Sequence, residues 1–316
     1  MGKILLAVVV GLCAFAWRIY EKTDMGRTIY NHRPGVCRQV NGPGKMFLYD
    51  FNQNLRSDQL KARELPIKGV SFDQDNFHPH GLSHWVVNGV IRLYVINHDD
   101  EFKHSVQVFD YDPTGPALIH KQTIKHPTFV RPNDLVVVGP DQFIFTNDGY
   151  NGGSVYFWDG KEAHELITGI GGPNGIAYDF ASDKVFVSDV VKRRIHAYDL
   201  SKDKKSITHL SAVNVYSGCD NLFLDSDGSL YSGCHPVLIE AAKALGDCEG
   251  PSTSASHVLR IKFDRDYKSA AITEPYANDG KEVSGSTIGI VYNNQMLIGT
   301  LCKGLYHCEI GDRSVL

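Results

Sequence analysis

Several signals that usually reveal a protein's chemistry are missing from this sequence. Basic charge is not in excess: 32 lysines and arginines are set against 36 acidic residues, a formal net charge of −4, which provides no electrostatic footprint for nucleic acid. The lysine-rich run Lys202-Asp203-Lys204-Lys205 is short, broken by acid, and reads as solvated loop. No Asn-x-Ser/Thr sequon occurs, so N-glycosylation is not expected. No cysteine–histidine cluster has zinc spacing, and the lack of a Gly-x-Ser-x-Gly elbow argues against an α/β-hydrolase. Helical patterning is scarce; Leu238 to Leu245 is the one convincing stretch.

Long apolar runs are scarce too. After Lys3 the residues Ile4 to Trp17 carry no charge, a run too short to span a bilayer comfortably and suited to the h-region of a secretory signal. Ala14-Phe15-Ala16 loosely fits a small-x-small cleavage site, but bulky Trp17 and Arg18-Ile19-Tyr20 follow, which favours an uncleaved signal-anchor. Residues 1–20 are therefore expected to be a signal peptide or signal-anchor, 21–45 a linker carrying Cys37, and 46–316 the folded body. Entry into the secretory pathway places the protein on a membrane, of the endoplasmic reticulum or the cell surface, or outside the cell, and it permits disulfides. Seven cysteines are present, an odd number, so at least one thiol is free or pairs between molecules.

What the chain does have is strands. With 316 residues, 42% of them hydrophobic, it can bury a large core. Met46–Asp50, Ile91–Ile96, Gln142–Thr146, Lys184–Ser188 and Gln295–Gly299 are rich in β-branched and aromatic residues and are bounded by Gly, Asn, Asp or Pro. They recur as a unit. Strands end in polar turns at Asn97-His98-Asp99, Thr146-Asn147-Asp148, Val187-Ser188-Asp189 and Ser232-Gly233-Cys234, and aromatic strands closing on Asp110, Asp159, Asp199 and Asp264 follow. The steps from Asp110 to Asp159 to Asp199 are 49 and 40 residues, the spacing of four-stranded propeller blades. A propeller brings the ends of its innermost strands together around one axis, and that is where chemistry is expected.

Three segments place Asn and Asp at such strand starts: Pro132-Asn133-Asp134-Leu135, Pro173-Asn174-Gly175-Ile176 and Cys219-Asp220-Asn221-Leu222. Any one of them is an ordinary turn. Three at the same phase of a repeat suggest an oxygen cage for a hard cation such as calcium, which takes six to eight oxygen ligands. His78-Pro79-His80-Gly81 and Asn97-His98-Asp99 put histidines at the ends of neighbouring strands, where two rings could form a proton relay.

These segments, in order and approximate spacing, resemble the paraoxonase/arylesterase family. So do Val138-Gly139-Pro140, Gly233-Cys234-His235-Pro236, Gly285-Ser286-Thr287, Leu297-Ile298-Gly299-Thr300 and Tyr306-His307-Cys308-Glu309; the likeness runs from about residue 43 to 310. The resemblance implies an all-β, six-bladed propeller preceded by a hydrophobic N-terminal helix, and calcium-dependent hydrolysis of small aryl esters and lactones. Asn133, Asn174, Asp220 and Asn221 match the ligands of a catalytic calcium. Asp134, with the backbone carbonyl of Leu82, matches a second, structural calcium. His80 and His98 match the dyad that activates water. Cys37 and Cys308 match a disulfide tying the start of the chain to its last strand, and Cys234 matches a free thiol near the site. The retained apolar N-terminus is also similar and implies contact with a membrane.

One departure stands out. The family carries a Glu-Asp pair in its first strand, one acid for each calcium; here Cys37-Arg38-Gln39-Val40-Asn41-Gly42-Pro43-Gly44 runs on without an acid until Asp50. The first blade is thus expected to be incomplete and both calcium sites weakened. That deletion also motivates a different reading, a non-catalytic, membrane-anchored chaperone or assembly factor for a client membrane protein. A sugar-lactone hydrolase of the gluconolactonase propellers suits the fold but not the segments at His78–Gly81 and Gly233–Pro236.

Overall fold

A computed structural model of the chain describes residues 37–40, 45–53, 60–70, 72–149, 152–310 and 316. The expected signal segment and Cys13 lie outside the described residues. No helix among the described residues is long and apolar enough to cross a membrane.

The chain begins with short pieces: β1 (Cys37–Val40), β2 (Phe47–Leu48), β3 (Arg63–Glu64) and β4 (Ile67–Lys68). Antiparallel hairpins then follow one another. The first sheet is β5 (Pro79–Val87), β6 (Val90–His98), β7 (His104–Asp112) and β8 (Ala117–Ile124), with β4 added in parallel outside β8. Next come β9 (Pro132–Gly139), β10 (Gln142–Asn147), β11 (Gly153–Trp158) and β12 (Ala163–Ile170), then β13 (Pro173–Asp179), β14 (Lys184–Asp189), β15 (Arg194–Leu200) and β16 (Ile207–Asn214). The fourth sheet holds β17 (Gly218–Leu224), β18 (Leu230–His235), β19 (Ser256–Phe263) and β20 (Ala270–Asn278), and carries α1 (Leu238–Leu245) between its second and third strands. The last holds β21 (Ser286–Tyr292), β22 (Gln295–Thr300) and β23 (Leu305–Glu309), and is completed from outside by β1. The helix falls where the sequence places it.

Alternation of side chains turns these sheets into a propeller. On β10, Phe143 and Phe145 enter a cluster with Tyr94, Ile96, Val106 and Val108 of the preceding sheet, while Ile144 enters one with Ile176, Val185 and Val187 of the following sheet. On β14, Val185 and Val187 face backwards and Phe186 faces forwards, towards Leu222, Leu230 and Ile261. A period-2 strand that is apolar on both faces needs a sheet on each side. Each fully buried side chain of this size contributes roughly 1.5–3 kcal/mol. The Asn88-Gly89 turn between β5 and β6 has positive φ at both residues, 49° and 82°, the backbone a two-residue hairpin requires.

The described residues form five blades, and a sixth four-stranded sheet is not among them. The two-residue strands β2 and β3 pair only with each other. Their segment fills the seam between the last blade and the first. Tyr49 Oη lies 2.7 Å from His307 Nδ1, and Phe51 packs on Tyr292 and His307. On the other side Met46 and Leu65 join Val95, Phe109 and Leu118. The N-terminal strand closes the ring by pairing with β23, with Cys37 opposite Cys308 in register.

The cysteine pattern differs from expectation at one place. Cys234 is not a free thiol: it is bonded to Cys219, its partner across β17 and β18. Antiparallel neighbours at a non-hydrogen-bonded position bring their side chains close enough for this. A second disulfide, Cys248–Cys302, ties the loop after α1 to the last blade. Cys308 is also disulfide-bonded.

Candidate functional site

All five innermost strands break register at the same place, near their N-terminal ends. In β5 the pairing jumps from Pro79–Asn97 to Leu82–Val95, in β9 from Pro132–Asn147 to Leu135–Phe145, and in β13 from Pro173–Asp189 to Ile176–Val187. In β17 it jumps from Cys219–Cys234 to Leu222–Ser232, and in β21 from Ser286–Thr300 to Ile288–Gly299. Each jump is a bulge with one extra residue on the inner strand, a device that re-aims side chains. The residues between the paired positions of each bulge are His80-Gly81, Asn133-Asp134, Asn174-Gly175, Asp220-Asn221 and Thr287. His80, Asn133, Asp134, Asn174, Asp220 and Asn221 therefore occupy one tier of the ring.

Glycines and buried hydroxyls lock that tier. A Cβ on Gly81 would lie 2.5 Å from the Asn133 carbonyl oxygen, and one on Gly175 would lie 2.4 Å from the Asp220 carbonyl oxygen. Neither position tolerates a side chain, because the next blade's bulge presses against it. Thr146 Oγ1 donates to the Asn174 carbonyl at 2.7 Å, and Ser188 Oγ donates to the Asp220 carbonyl at 2.9 Å. Each hydroxyl reaches from the second strand of one blade to the bulge of the next.

The polar groups gathered there are unevenly satisfied. Asn133 Oδ1 and Asn174 Oδ1 are buried and accept no hydrogen bond. Leaving such an acceptor bare costs about 1–3 kcal/mol, and two of them on adjacent bulges suit a cation with a preference for oxygen. Asp220 is buried nearby, its Oδ2 3.4 Å from His235 Nε2. Asn221 shares its bulge and is half-buried, with its carbonyl accepting from Ser232 Oγ. Among the described residues no three His, Cys, Asp or Glu side chains gather as a metal set; the candidate donors are three amides and one carboxylate. Leu82 lies just past its bulge with an exposed side chain, and Gly81 beside it packs on Asp134.

Asp134 is buried with backbone donors alone: Ile176 N–H to Oδ2 at 3.0 Å and Leu135 N–H to Oδ1 at 2.9 Å. Burial outweighs these bonds and pushes its pKa up to about 7, and the Asp220 carboxylate adds to the rise. A carboxyl so placed fits a bound cation. With no cation bound, the folded state holds the Asp134 proton more tightly than the unfolded state, whose pKa is near 3.8. The group therefore stabilises the fold fully below pH 4, and that contribution is lost as pH rises through about 7. The gap corresponds to roughly 4 kcal/mol at about 1.4 kcal/mol per pH unit. Asp134→Asn cannot ionise. In chelator, thermal unfolding is expected to shift in favour of the variant by several degrees between pH 5 and pH 8; a shift that is the same at both pH values would refute this.

His80 and His98 meet: Nδ1 of the first lies 2.8 Å from Nε2 of the second. His80 keeps an edge in solvent at the mouth, yet the protein around it penalises its charged form and lowers its pKa, against the pull of Asp220 and Asp148. His98 is lowered further, to about 4, by burial and then by the neighbouring rings of His80, His104 and His78. Asn97 holds the approach to His80, accepting the His78 N–H at 2.6 Å and donating to the Asn76 carbonyl at 3.1 Å. Two residues escape the sequence reading. His104 Nδ1 lies 2.8 Å from His98 Nδ1, and His235 faces Asp220. The hairpin register pairing His98 with His104 is the signal for the first; the motif Gly233-Cys234-His235-Pro236 holds the second without showing its partner.

Known proteins share this chain's sequence over most of its length. The arylesterase family model matches residues 32–310. Serum paraoxonase/lactonase 3 of Oryctolagus cuniculus is 32% identical over 286 residues, covering 85% of this chain and 77% of that protein. The Homo sapiens serum paraoxonase/lactonase 3 is 32% identical over 285 residues with the same coverage. Serum paraoxonase/arylesterase 1 of Homo sapiens is 30% identical over 295 residues, covering 88% and 80%. The chain belongs to the arylesterase family, which includes the serum paraoxonases.

Proposed function

We propose that this protein is a calcium-dependent hydrolase of aryl esters and lactones. The supporting observation is the single tier of bulges that carries bare amide oxygens on Asn133 and Asn174, the Asp220 carboxylate, and a histidine pair at 2.8 Å. Asn133, Asn174, Asp220 and Asn221 would hold the catalytic ion, and Asp134 with the Leu82 carbonyl the structural one. Calcium bound at the first site supplies a Lewis acid that polarises an ester carbonyl and favours negative charge on its oxygen. His80, unprotonated at neutral pH, takes the proton of the attacking water; His98 holds the His80 ring through Nδ1. The side chains of the tier bind the acyl group against the mouth of the tunnel.

The segment from β2 to β4 is read as the remnant of a sixth blade, and the bond from Cys37 to Cys308 as the clasp of the ring. Three amides and one carboxylate make a weakly charged set, so the affinity for calcium is expected near that of extracellular modules, about 10⁻⁴–10⁻³ M. Disulfides suit an oxidising compartment, and residues 1–20 would lead the chain there and hold it at the membrane.

The test is hydrolysis of phenyl acetate and a δ-lactone by full-length protein, with and without a calcium chelator. Turnover that stops with chelator and returns on millimolar calcium is expected. A folded protein showing no chelator-sensitive turnover of either substrate would overturn the reading.

A further inference from the structure

We propose that the Cys219–Cys234 disulfide is a clamp that positions Asp220, so that the cation site is complete only while this bond is oxidised. The inference rests on the cation-site part of the reading above and adds what holds the single carboxylate of that donor set in place. The bond joins the residue directly before Asp220 to the residue directly before His235, the side chain that faces Asp220. Both cysteines are buried, among Ile195, Val215, Leu222 and Leu259.

The other blades show why a clamp is needed there. The residue that opens the bulge is Pro79 in β5, Pro132 in β9 and Pro173 in β13. Proline fixes φ near −65°, so in those strands the approach to the bulge is stiff on its own. In β17 the same position is Cys219, paired with Cys234. Here the stiffness comes from a cross-strand bond, and this is the strand that carries Asp220. In β21 the position is Ser286, but that bulge holds only Thr287 and none of the candidate ligands.

The two strands differ in how far they can give. β18 pairs with β19 without a break from Leu230 to Cys234, whereas β17 loses its register with β18 between Cys219 and Leu222. A disulfide holds its sulfurs about 2.05 Å apart, while unbonded heavy atoms need roughly 3.5–4.0 Å. With neither cysteine at the surface, the reduced pair is accommodated where pairing is already broken, at the bulge, and Asp220 is the next residue. Its carboxylate then leaves the place it shares with the Asn133 and Asn174 oxygens.

The bond opens by exchange with a dithiol. A thiolate of the reagent attacks one sulfur, and the other cysteine departs as a thiolate. The second thiol of the reagent then displaces the remaining cysteine, leaving the reagent as a cyclic disulfide. Two electrons and two protons pass from the dithiol to the cysteine pair. Coupling of this kind is reciprocal. A cation bound about 10-fold more tightly by the oxidised protein makes the disulfide about 10-fold harder to reduce, which is about 30 mV for a two-electron couple.

The test reads this reciprocity in the full-length protein. At one pH it is equilibrated with graded ratios of reduced to oxidised dithiothreitol, either in chelator or in about 10 mM calcium. The thiols are then alkylated, and each cysteine pair is scored by peptide mass. Calcium is expected to move the midpoint of Cys219–Cys234 about 5- to 10-fold in that ratio, towards the disulfide. The midpoint of Cys248–Cys302, which ties the loop after α1 to the last blade, stays where it was. In calorimetry, Cys219→Ala/Cys234→Ala is expected to bind calcium about 10-fold more weakly than wild type, and Cys248→Ala/Cys302→Ala to bind as wild type does. Equal midpoints with and without calcium, or the same shift at both disulfides, overturns the proposal. The redox titration uses wild type alone, so it decides even where a variant does not fold. Calcium binding without a midpoint shift rejects the clamp and keeps the cation site; absence of calcium binding removes both. A midpoint shift in a protein that hydrolyses neither ester nor lactone rejects the hydrolase reading and leaves the clamp standing.

Discussion

Asp220→Asn is expected to weaken calcium binding roughly 100- to 1,000-fold, which at submillimolar calcium extinguishes chelator-sensitive ester hydrolysis. The physical basis is the composition of the donor set. Asn133, Asn174 and Asn221 would bring neutral amide oxygens, so Asp220 would carry the whole side-chain charge offered to the proposed catalytic ion. Removing one member of a buried charged contact costs about 3–4 kcal/mol, and affinity for calcium falls as ligand charge falls. The substitution is nearly isosteric, and the bulge is held by Ser188 through the Asp220 backbone carbonyl and not through its carboxylate. The fold is therefore retained, as circular dichroism should show. The calcium dependence of phenyl acetate turnover measures the effect, with calorimetric titration of calcium as the direct check. An unchanged calcium dependence would remove Asp220 from the site and with it the argument for a cation at this tier.

The sequence announces the blades because two-faced apolar strands such as Phe143-Ile144-Phe145 and Val185-Phe186-Val187 admit few arrangements other than stacked sheets. Polar residues at strand starts give the phase at which a site is built. The bulges are not legible, because a one-residue slip in pairing leaves no mark on a hydrophobic pattern. Yet the slip puts Asn133 and Asp134, or Asp220 and Asn221, into one tier when strict alternation would send one of each pair away. The seam is equally hidden. Met46–Asp50 reads as a full strand, but only Phe47 and Leu48 are paired, because Tyr49 and Phe51 turn away to pack on His307. Nor does a motif-based reading disclose that Cys219 and Cys234 are opposite each other, since that depends on hairpin register.

His80→Gln is expected to lower kcat/KM by about 10²- to 10⁴-fold, the range for loss of a general base, with calcium binding unaltered. Glutamine matches the reach of the ring and accepts a hydrogen bond, but it does not take a proton at neutral pH. The pH profile makes the assignment specific. A base works when unprotonated, so wild-type turnover must fall as pH drops through the pKa of the group responsible. Burial lowers the pKa of His80 below the ordinary histidine value of 6.5, with Asp220 and Asp148 only partly opposing it. A calcium ion at the proposed catalytic site would act in the same direction as burial, since it would repel the imidazolium. The acid limb of kcat/KM is therefore expected below pH 6.5, with a plateau through pH 7–8, and the limb should vanish from the residual activity of His80→Gln. A limb that persists unchanged in the variant would transfer the role of base to another group. The Asp220-facing His235 would then be the first to replace, since it is buried against that carboxylate.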